Sequence, residues 1–274
     1  MFRARGIELK TPEQISLMRE AGLVVGRTLE LLRASAGAGT TTGELDVLAE
    51  EHIRDSGAVP SFQGYHGFPG SICTSVNEQV VHGIPGSRTL RDGDVVSIDC
   101  GAIVAGWHGD AAFTVAVGQV PAEVAELLRV CEQALWRGIG AARLGGRVTD
   151  ISAAVEAHAR SRGSYGIVED YVGHGIGSAM HQPPNVPNVG RPGHGPRLVQ
   201  GLALAVEPML TLGSMETAVL DDDWTVVTAD GSYAAHFEHT FTLTESGPWV
   251  LTALDGGKSK LAELGAPCAV SPTH

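Results

Sequence analysis

The chain has 274 residues, 43% of them hydrophobic and 18% charged, with a formal net charge of −12. That is enough apolar material to bury a full core in one large domain or two, and it excludes a disordered chain. The acidic balance disfavours a broad electrostatic grip on nucleic acid, and no apolar run reaches the roughly 18 residues of a membrane span. Met1 to Lys10 is short and polar, with no secretory signal. The four cysteines (Cys73, Cys100, Cys131 and Cys268) are far apart with no CxxC, so reduced thiols in the cytoplasm are expected rather than a disulfide or zinc framework.

Thr11-Pro12-Glu13-Gln14 reads as a helix start, with an N-cap and a Pro at the first helical position. Ile15, Met18, Gly22, Val25, Leu29 and Leu32 then recur at spacings of three and four, which predicts an amphipathic helix. Thr40 to Thr42 before Glu44 starts a second helix, whose apolar face is Leu45, Leu48, Ala49, His52 and Ile53 and which Gly57 stops. A loop-rich stretch, Pro60 to Gly70, precedes a strand-like ICTSV, a turn at Asn77-Glu78, and QVVHGIPG. Val95 to Val117 holds two β-branched runs around a Gly-containing connection, a predicted antiparallel pair.

The pattern then recurs. Helices are expected over Pro121 to Ala142 and Thr149 to Arg162, followed by strand-like Leu202 to Leu210, Trp224 to Thr228 and His236 to Thr244. Residues 36–57 and 142–163 share six identical pairs, among them Glu50/Glu156, His52/His158 and Gly57/Gly163, which suggests a duplication. Helices followed by strands, twice over, is an α+β layout and not alternating βαβ. Residues 255–274 show little periodicity and read as a surface extension.

The predicted hairpin carries one carboxylate on each strand, Asp99 and Asp110, where Asp is disfavoured and costly to bury unpaired. A cation between them resolves the conflict. Three further metal-compatible residues stand in Gly-rich or strand settings: His174 in GHGIG, Glu207 in AVEPM and Glu238 in HFEHT. Four carboxylates balance the charge of two divalent ions, as a buried dinuclear site needs.

Six ordered segments, YHGFP, NEQVVHGIPG, IDCG…GWHGDAA, GHGIG…MHQPP, VEPM and FEHT, closely resemble those of type I methionine aminopeptidases. The resemblance runs from about Thr11 to Leu254. It implies the pita-bread fold, with pseudo-halves at about 11–120 and 121–254 in one catalytic domain (residues 1–254) and the site between them in a curved antiparallel sheet. It also implies that Asp99, Asp110, His174, Glu207 and Glu238 hold two divalent ions (Co, Mn, Fe or Zn), with Asp110 and Glu238 bridging. Two such ions lower the pKa of a water, polarise the scissile carbonyl and can fix a free amine. By the same resemblance Glu207 is the general base or proton shuttle, His181 donates to the carbonyl oxygen, and His82 contacts the amide to be cut and helps position or protonate the leaving nitrogen.

The implied side-chain pocket is Phe62, Tyr65, Phe68, Cys73, Met180 and Trp224, apolar and polarizable enough for a thioether. This chain departs from familiar bacterial members at Phe62, Phe68, Val81, Met180 and Gln182, the last standing where many carry Glu. The expected activity is removal of the N-terminal Met of nascent chains when the second residue is small, by a cytoplasmic monomer, with a ribosome contact left open. The rivals are a proline-directed relative of the same fold, which usually carries an extra N-terminal domain, and a non-catalytic binding protein, which would typically lose metal ligands. Alone, His52 and His158 read as packing or surface residues, and the run Asp221 to Asp223 reads as a solvated turn.

Overall fold

A computed structural model describes residues 6–269 of the chain. Two helices come first, α1 (Pro12–Ser35) and α2 (Thr42–Asp55). Each opens on a reciprocal cap. Thr11 Oγ1 accepts from Gln14 N while Thr11 N donates to Gln14 Oε1, and Thr41 and Glu44 repeat the arrangement. Five strands follow: β1 (Val59–Pro60), β2 (Ile72–Val76), β3 (Gln79–Val81), β4 (Val95–Val104) and β5 (Trp107–Ala116). The helix pair then recurs as α3 (Ala122–Ala141) and α4 (Val148–Arg162).

The second half continues with β6 (Gly166–Ile167), β7 (Gly173–Gly175), β8 (Gln182–Val186), β9 (Ala203–Val206), β10 (Met209–Thr211), β11 (Thr217–Val219), β12 (Val226–Thr228), β13 (Ala234–His236), β14 (Glu238–Thr244) and β15 (Gly247–Val250). A last short helix, α5, spans Lys258–Glu263. The main sheet runs β1-β4-β5-β14-β9-β7-β8, with β2 added on β4 and β15 on β14. Two three-stranded sheets, β13-β10-β6 and β11-β12-β3, complete the strands.

Side-chain alternation separates core from site. Ile98, Cys100, Ala111 and Phe113 pack with Leu29, Leu32, Leu135 and Ile139 of the helices in the main apolar core. Asp99 and Asp110, at the intervening positions, face the opposite way. Helix α1 lies close enough to β5 that a Cβ on Gly109 would come 2.7 Å from Gly22 N, and a Cβ on Gly22 would come 2.2 Å from Leu251 O. Arg19, one turn earlier, donates to the carbonyls of Leu251 at 2.7 Å and Ala253 at 2.6 Å, which fixes the helix over that turn. Gly22→Ala therefore drives a methyl into backbone with no room to yield. It is expected to destabilise the fold by about 3 kcal/mol, the upper end for overpacking, read as a lowered denaturant midpoint.

Three sequence expectations need correction. Leu202 to Leu210 is not one strand: β9 ends at Val206 in the main sheet, and β10 begins at Met209 in another. The break is Glu207-Pro208, where proline has no N–H to give a ladder. His236 to Thr244 is likewise two strands, β13 and β14, parted at Phe237, whose N–H reaches Pro208 O at 3.3 Å. Residues 255–269 are more than a surface extension. Asp255 caps the α5 turn through Gly257 N and Ser259 N, both at 2.9 Å, Leu261 is fully buried, and Ala269 N donates to Pro248 O at 3.0 Å. One buried Leu on a six-residue helix leaves no period to read. The remainder of that expectation, at 270–274, and the first five residues lie outside the described part.

Candidate active site

Strand register explains why the carboxylates meet. β4 and β5 pair without slip from Val95↔Ala116 to Val104↔Trp107, so Asp99 stands opposite Ala112 and Gly101 opposite Asp110. On the other side of β5, Glu238 of β14 also stands opposite Ala112. Ala112 thus has Asp99 on one flank and Glu238 on the other, with Asp110 two residues away on the same face. β9 pairs with β14 through His239↔Val206, which leaves Glu207 at its end beside Glu238. β7, paired with β9 at Gly175↔Leu204, brings His174.

Between β5 and β14 only Glu238↔Ala112 and His239↔Ala111 form ladder pairs. At each end a threonine hydroxyl stands where the next backbone pair would be. Thr240 Oγ1 donates to Asp110 O at 2.8 Å and accepts from Asp110 N at 3.2 Å. Thr114 Oγ1 donates to His236 O at 2.8 Å and accepts from His236 N at 2.9 Å. On both sides of Glu238 a hydroxyl thus takes the place of a backbone partner, and the N–H and C=O of Asp110 and His236 stay satisfied.

Burial sets the electrostatics. Asp110 and Glu238 are buried, and one oxygen each of Asp99, Asp110 and Glu238 has no hydrogen-bond partner, nor has His236 Nε2. Burial pushes the Asp99 carboxyl up to about 7. Burial and then the neighbouring carboxylates push Asp110, Glu207 and Glu238 well above the usual range. His174 Nδ1 lies 3.0 Å from Gly175 O, and its Nε2 lies 3.3 Å from Glu207 Oε1 and 4.0 Å from Asp110 Oδ2. Burial first, then His181, lowers the His174 imidazole to about 3, so it is neutral and offers a lone pair to the cavity.

These residues fit a divalent cation. Donor atoms of Asp110, His174 and Glu238 all lie within 4.8 Å of one another, and orphaned carboxylate oxygens in a buried cluster are what a bound cation satisfies. A donor set of carboxylates and one imidazole suits Mn, Fe, Co or Zn.

One cavity of about 300 Å³ is lined by all thirteen side chains expected from the sequence: Phe62, Tyr65, Phe68, Cys73, His82, Asp99, Asp110, His174, Met180, His181, Glu207, Trp224 and Glu238. Phe62, Phe68, Cys73 and Met180 pack as a separate apolar cluster, with Tyr65, Ile84 and Trp224 against it. His181 Nδ1 meets Tyr65 OH at 2.9 Å, and its ring lies 4.3 Å from that of His174. The His82 ring lies 6.3 Å from Trp224 and 5.7 Å from Tyr171, and burial lowers it to about 4.

His66, Val81 and His236 also line the cavity; the sequence marks Val81 only as a departure, leaves His236 ambiguous and places His66 in a loop. His236 Nε2 sits 3.8 Å from Glu207 Oε2; its shared parity with Glu238 was the available signal, ambiguous without the strand break at Phe237. The acidic run is exposed, as expected of a turn, yet Asp222 Oδ1 accepts from Trp224 N at 2.9 Å and Thr225 N at 2.7 Å and so sets the Trp224 backbone.

The profile of metallopeptidase family M24 matches residues 16–245. The chain belongs to this family. Among M24 relatives, it is 51% identical over 247 residues to a methionine aminopeptidase of Clostridium acetobutylicum, covering 90% of this chain and 98% of that one. It is 50% identical over 261 residues to methionine aminopeptidase 1 of Mycobacterium tuberculosis, covering 92% and 98%. The solved methionine aminopeptidase of Thermotoga maritima superposes with a TM-score of 0.88 at 40% identity, covering 90% of this chain and 99% of that one. A prolidase of Pyrococcus furiosus shares the fold, with a TM-score of 0.71 at 20% identity; the match covers 89% of this chain and 65% of the prolidase. The architecture is therefore the pita-bread fold of this family.

Proposed function

We propose that this M24 hydrolase is a methionine aminopeptidase that removes the N-terminal Met of nascent proteins when the second residue is small. The observation that carries the reading is the apolar cluster of Phe62, Phe68, Cys73 and Met180, set directly against the carboxylates in one cavity. At about 300 Å³ that cavity is at the small end for ligand sites, suited to one side chain. Aromatic edges and a thioether opposite suit a polarizable sulfur.

Asp99, Asp110, His174, Glu207 and Glu238 would hold a pair of divalent ions, which would supply Lewis acidity to the scissile carbonyl and an anchor for the free amine. The protein's own groups do the rest. Glu207 is the base that takes a proton from the attacking water and returns it to the leaving nitrogen. Tyr65 OH on His181 Nδ1 leaves Nε2–H of the imidazole to meet the charge developing on the carbonyl oxygen. His82, beside Trp224, orients the amide to be cut. The pocket walls exclude water and leave little room beyond the first side chain, which restricts the second residue.

The pseudo-halves at about 11–120 and 121–254 would form one catalytic unit, with residues 255–269 packed on it. Among the described residues no helix is long and apolar enough to cross a membrane, and all four cysteines are free. The free thiols suit a reducing compartment, and we assign the enzyme to the cytoplasm, acting as a monomer on nascent chains. The test is metal analysis of protein purified without added metal, paired with cleavage of Met-Ala-Ser and of an Xaa-Pro peptide. Release of Met with no Xaa-Pro turnover is expected; the reverse preference would overturn the assignment.

A further inference from the structure

The segment before α1 makes contacts that the mechanism above does not use. Glu8 Oε1 accepts from Ser178 Oγ at 2.7 Å, and its Oε2 accepts from Ser178 N at 3.1 Å and from Gln182 Nε2 at 2.9 Å. Gln182 Nε2 also reaches Ser178 Oγ at 3.2 Å, and its Oε1 accepts from Lys10 Nζ at 3.3 Å. Lys10 is buried, its Nζ lies 3.6 Å from Glu8 Oε2, and its backbone N–H is tied to Gly201 O at 2.8 Å. A Cβ on Gly177 would come 2.3 Å from both Glu8 Oε2 and Lys10 Cε, so the loop backbone rests directly on this pair.

The loop so held joins β7 to β8. The two strands pair at Gly175↔Gln182, and between them the chain leaves the sheet to place Met180 in the apolar pocket and His181 over His174. On the cavity side His181 is held by Tyr65. On the outer side the hold is the Glu8 carboxylate, acting on the backbone three residues before His181 and on the side chain one residue after it. The group also accounts for the departure at Gln182. A Glu there would stand 2.9 Å from the Glu8 carboxylate, where Gln donates instead, so Glu8 supplies the negative charge that Lys10 needs.

We propose that Glu8, with Lys10 and Gln182, is a latch that positions His181 and Met180 for the reaction assigned above, and that the amide at Gln182 and the carboxylate at Glu8 are a matched pair. Glu8 is thus a positioning residue that never touches substrate. The reading rests on the aminopeptidase assignment only for its kinetic consequence; the physical hold on the loop is independent of it.

The test is Glu8→Gln, alone and combined with Gln182→Glu. An amide at position 8 loses acceptors for Ser178 N and Gln182 Nε2, whereas in the double variant the carboxylate moves across and the amide–carboxylate bond is reversed. Hydrogen exchange at 177–182, above all at the Ser178 amide, is expected to quicken in Glu8→Gln while the rest of the chain is unchanged. On a Met-Ala-Ser substrate kcat should fall about tenfold with KM within about twofold, as for displacement of a group acting in the transition state. The double variant, with the amide–carboxylate bond restored, should recover kcat, while the Ser178 amide, still facing an amide at position 8, keeps its faster exchange. Unchanged exchange in Glu8→Gln, acceleration spread over the whole chain, or no recovery of kcat in the double variant would each overturn the latch. A wild-type enzyme that does not release Met would overturn the assignment instead, and the exchange data would still decide the latch.

Discussion

Asp110→Asn is expected to lower Met release by roughly a thousandfold and to strip most of the bound divalent metal, read by cleavage of Met-Ala-Ser and by metal analysis after dialysis. Asp110 sits between Asp99 and Glu238, buried, with an oxygen that has no protein partner. An amide there removes one anion from the cluster and one donor from the Asp110–His174–Glu238 group. The same change should act oppositely on the metal-free protein. With no cation, burial and mutual repulsion make ionising these four carboxyls costly, whereas the Asn amide carries no charge and can donate to a neighbour. The melting temperature of the stripped variant should therefore exceed that of stripped wild type, while in excess metal the order reverses. Full activity in Asp110→Asn would remove the basis for a shared metal centre.

The second large effect is a change of sign in pH dependence on loading. In the stripped protein Asp99 is raised from 3.8 to about 7, and Asp110, Glu207 and Glu238 are raised well above the usual carboxylate range. An acid whose folded pKa is raised keeps a proton that the unfolded chain has lost, so its contribution is complete below about pH 4 and declines as pH rises through the folded value. Buried histidines oppose this at lower pH. His82 and His108 are lowered to about 4, and His174 and His236 to about 3, so they add stability as pH climbs toward 6.5 and nothing more beyond it. Burial lowers Lys10 to about 8, and it begins to add stability only above that. Between about pH 6.5 and 8 the carboxylates act alone, and stripped protein should lose about 1.4 kcal/mol per pH unit for each proton still held. Loaded protein should show no such loss, because its ligands are already deprotonated and protons only compete with the metal. Melting curves in chelator and in excess Mn or Co at pH 6.5 and 8 decide it; a flat curve for stripped protein would contradict the burial of the cluster.

Much of this was legible from residue order because local rules and the fold agree. Thr11 with Gln14 and Thr41 with Glu44 form the caps their spacing suggests. Asp99 and Asp110 betrayed themselves as charges inside β-branched strands, and the strands formed where expected. What could not be read depends on where the chain changes neighbours. Nothing in the apolar run from Leu202 says that it leaves one sheet for another at Glu207-Pro208, and nothing before Phe237 says that His236 belongs to a different strand from Glu238. The contact of Glu8 with Gln182 joins residues 174 apart and has no periodic signature. The buried Leu261 is a lone apolar anchor of the same unreadable kind.

The narrow join between β5 and β14 bears on how such an enzyme comes into being. Two ladder pairs and two threonine hydroxyls connect strands more than 120 positions apart in the chain, so closing this join pays a large loop entropy for few bonds. Contacts of short sequence separation are therefore expected to form before this join, which makes closing it a late step of folding.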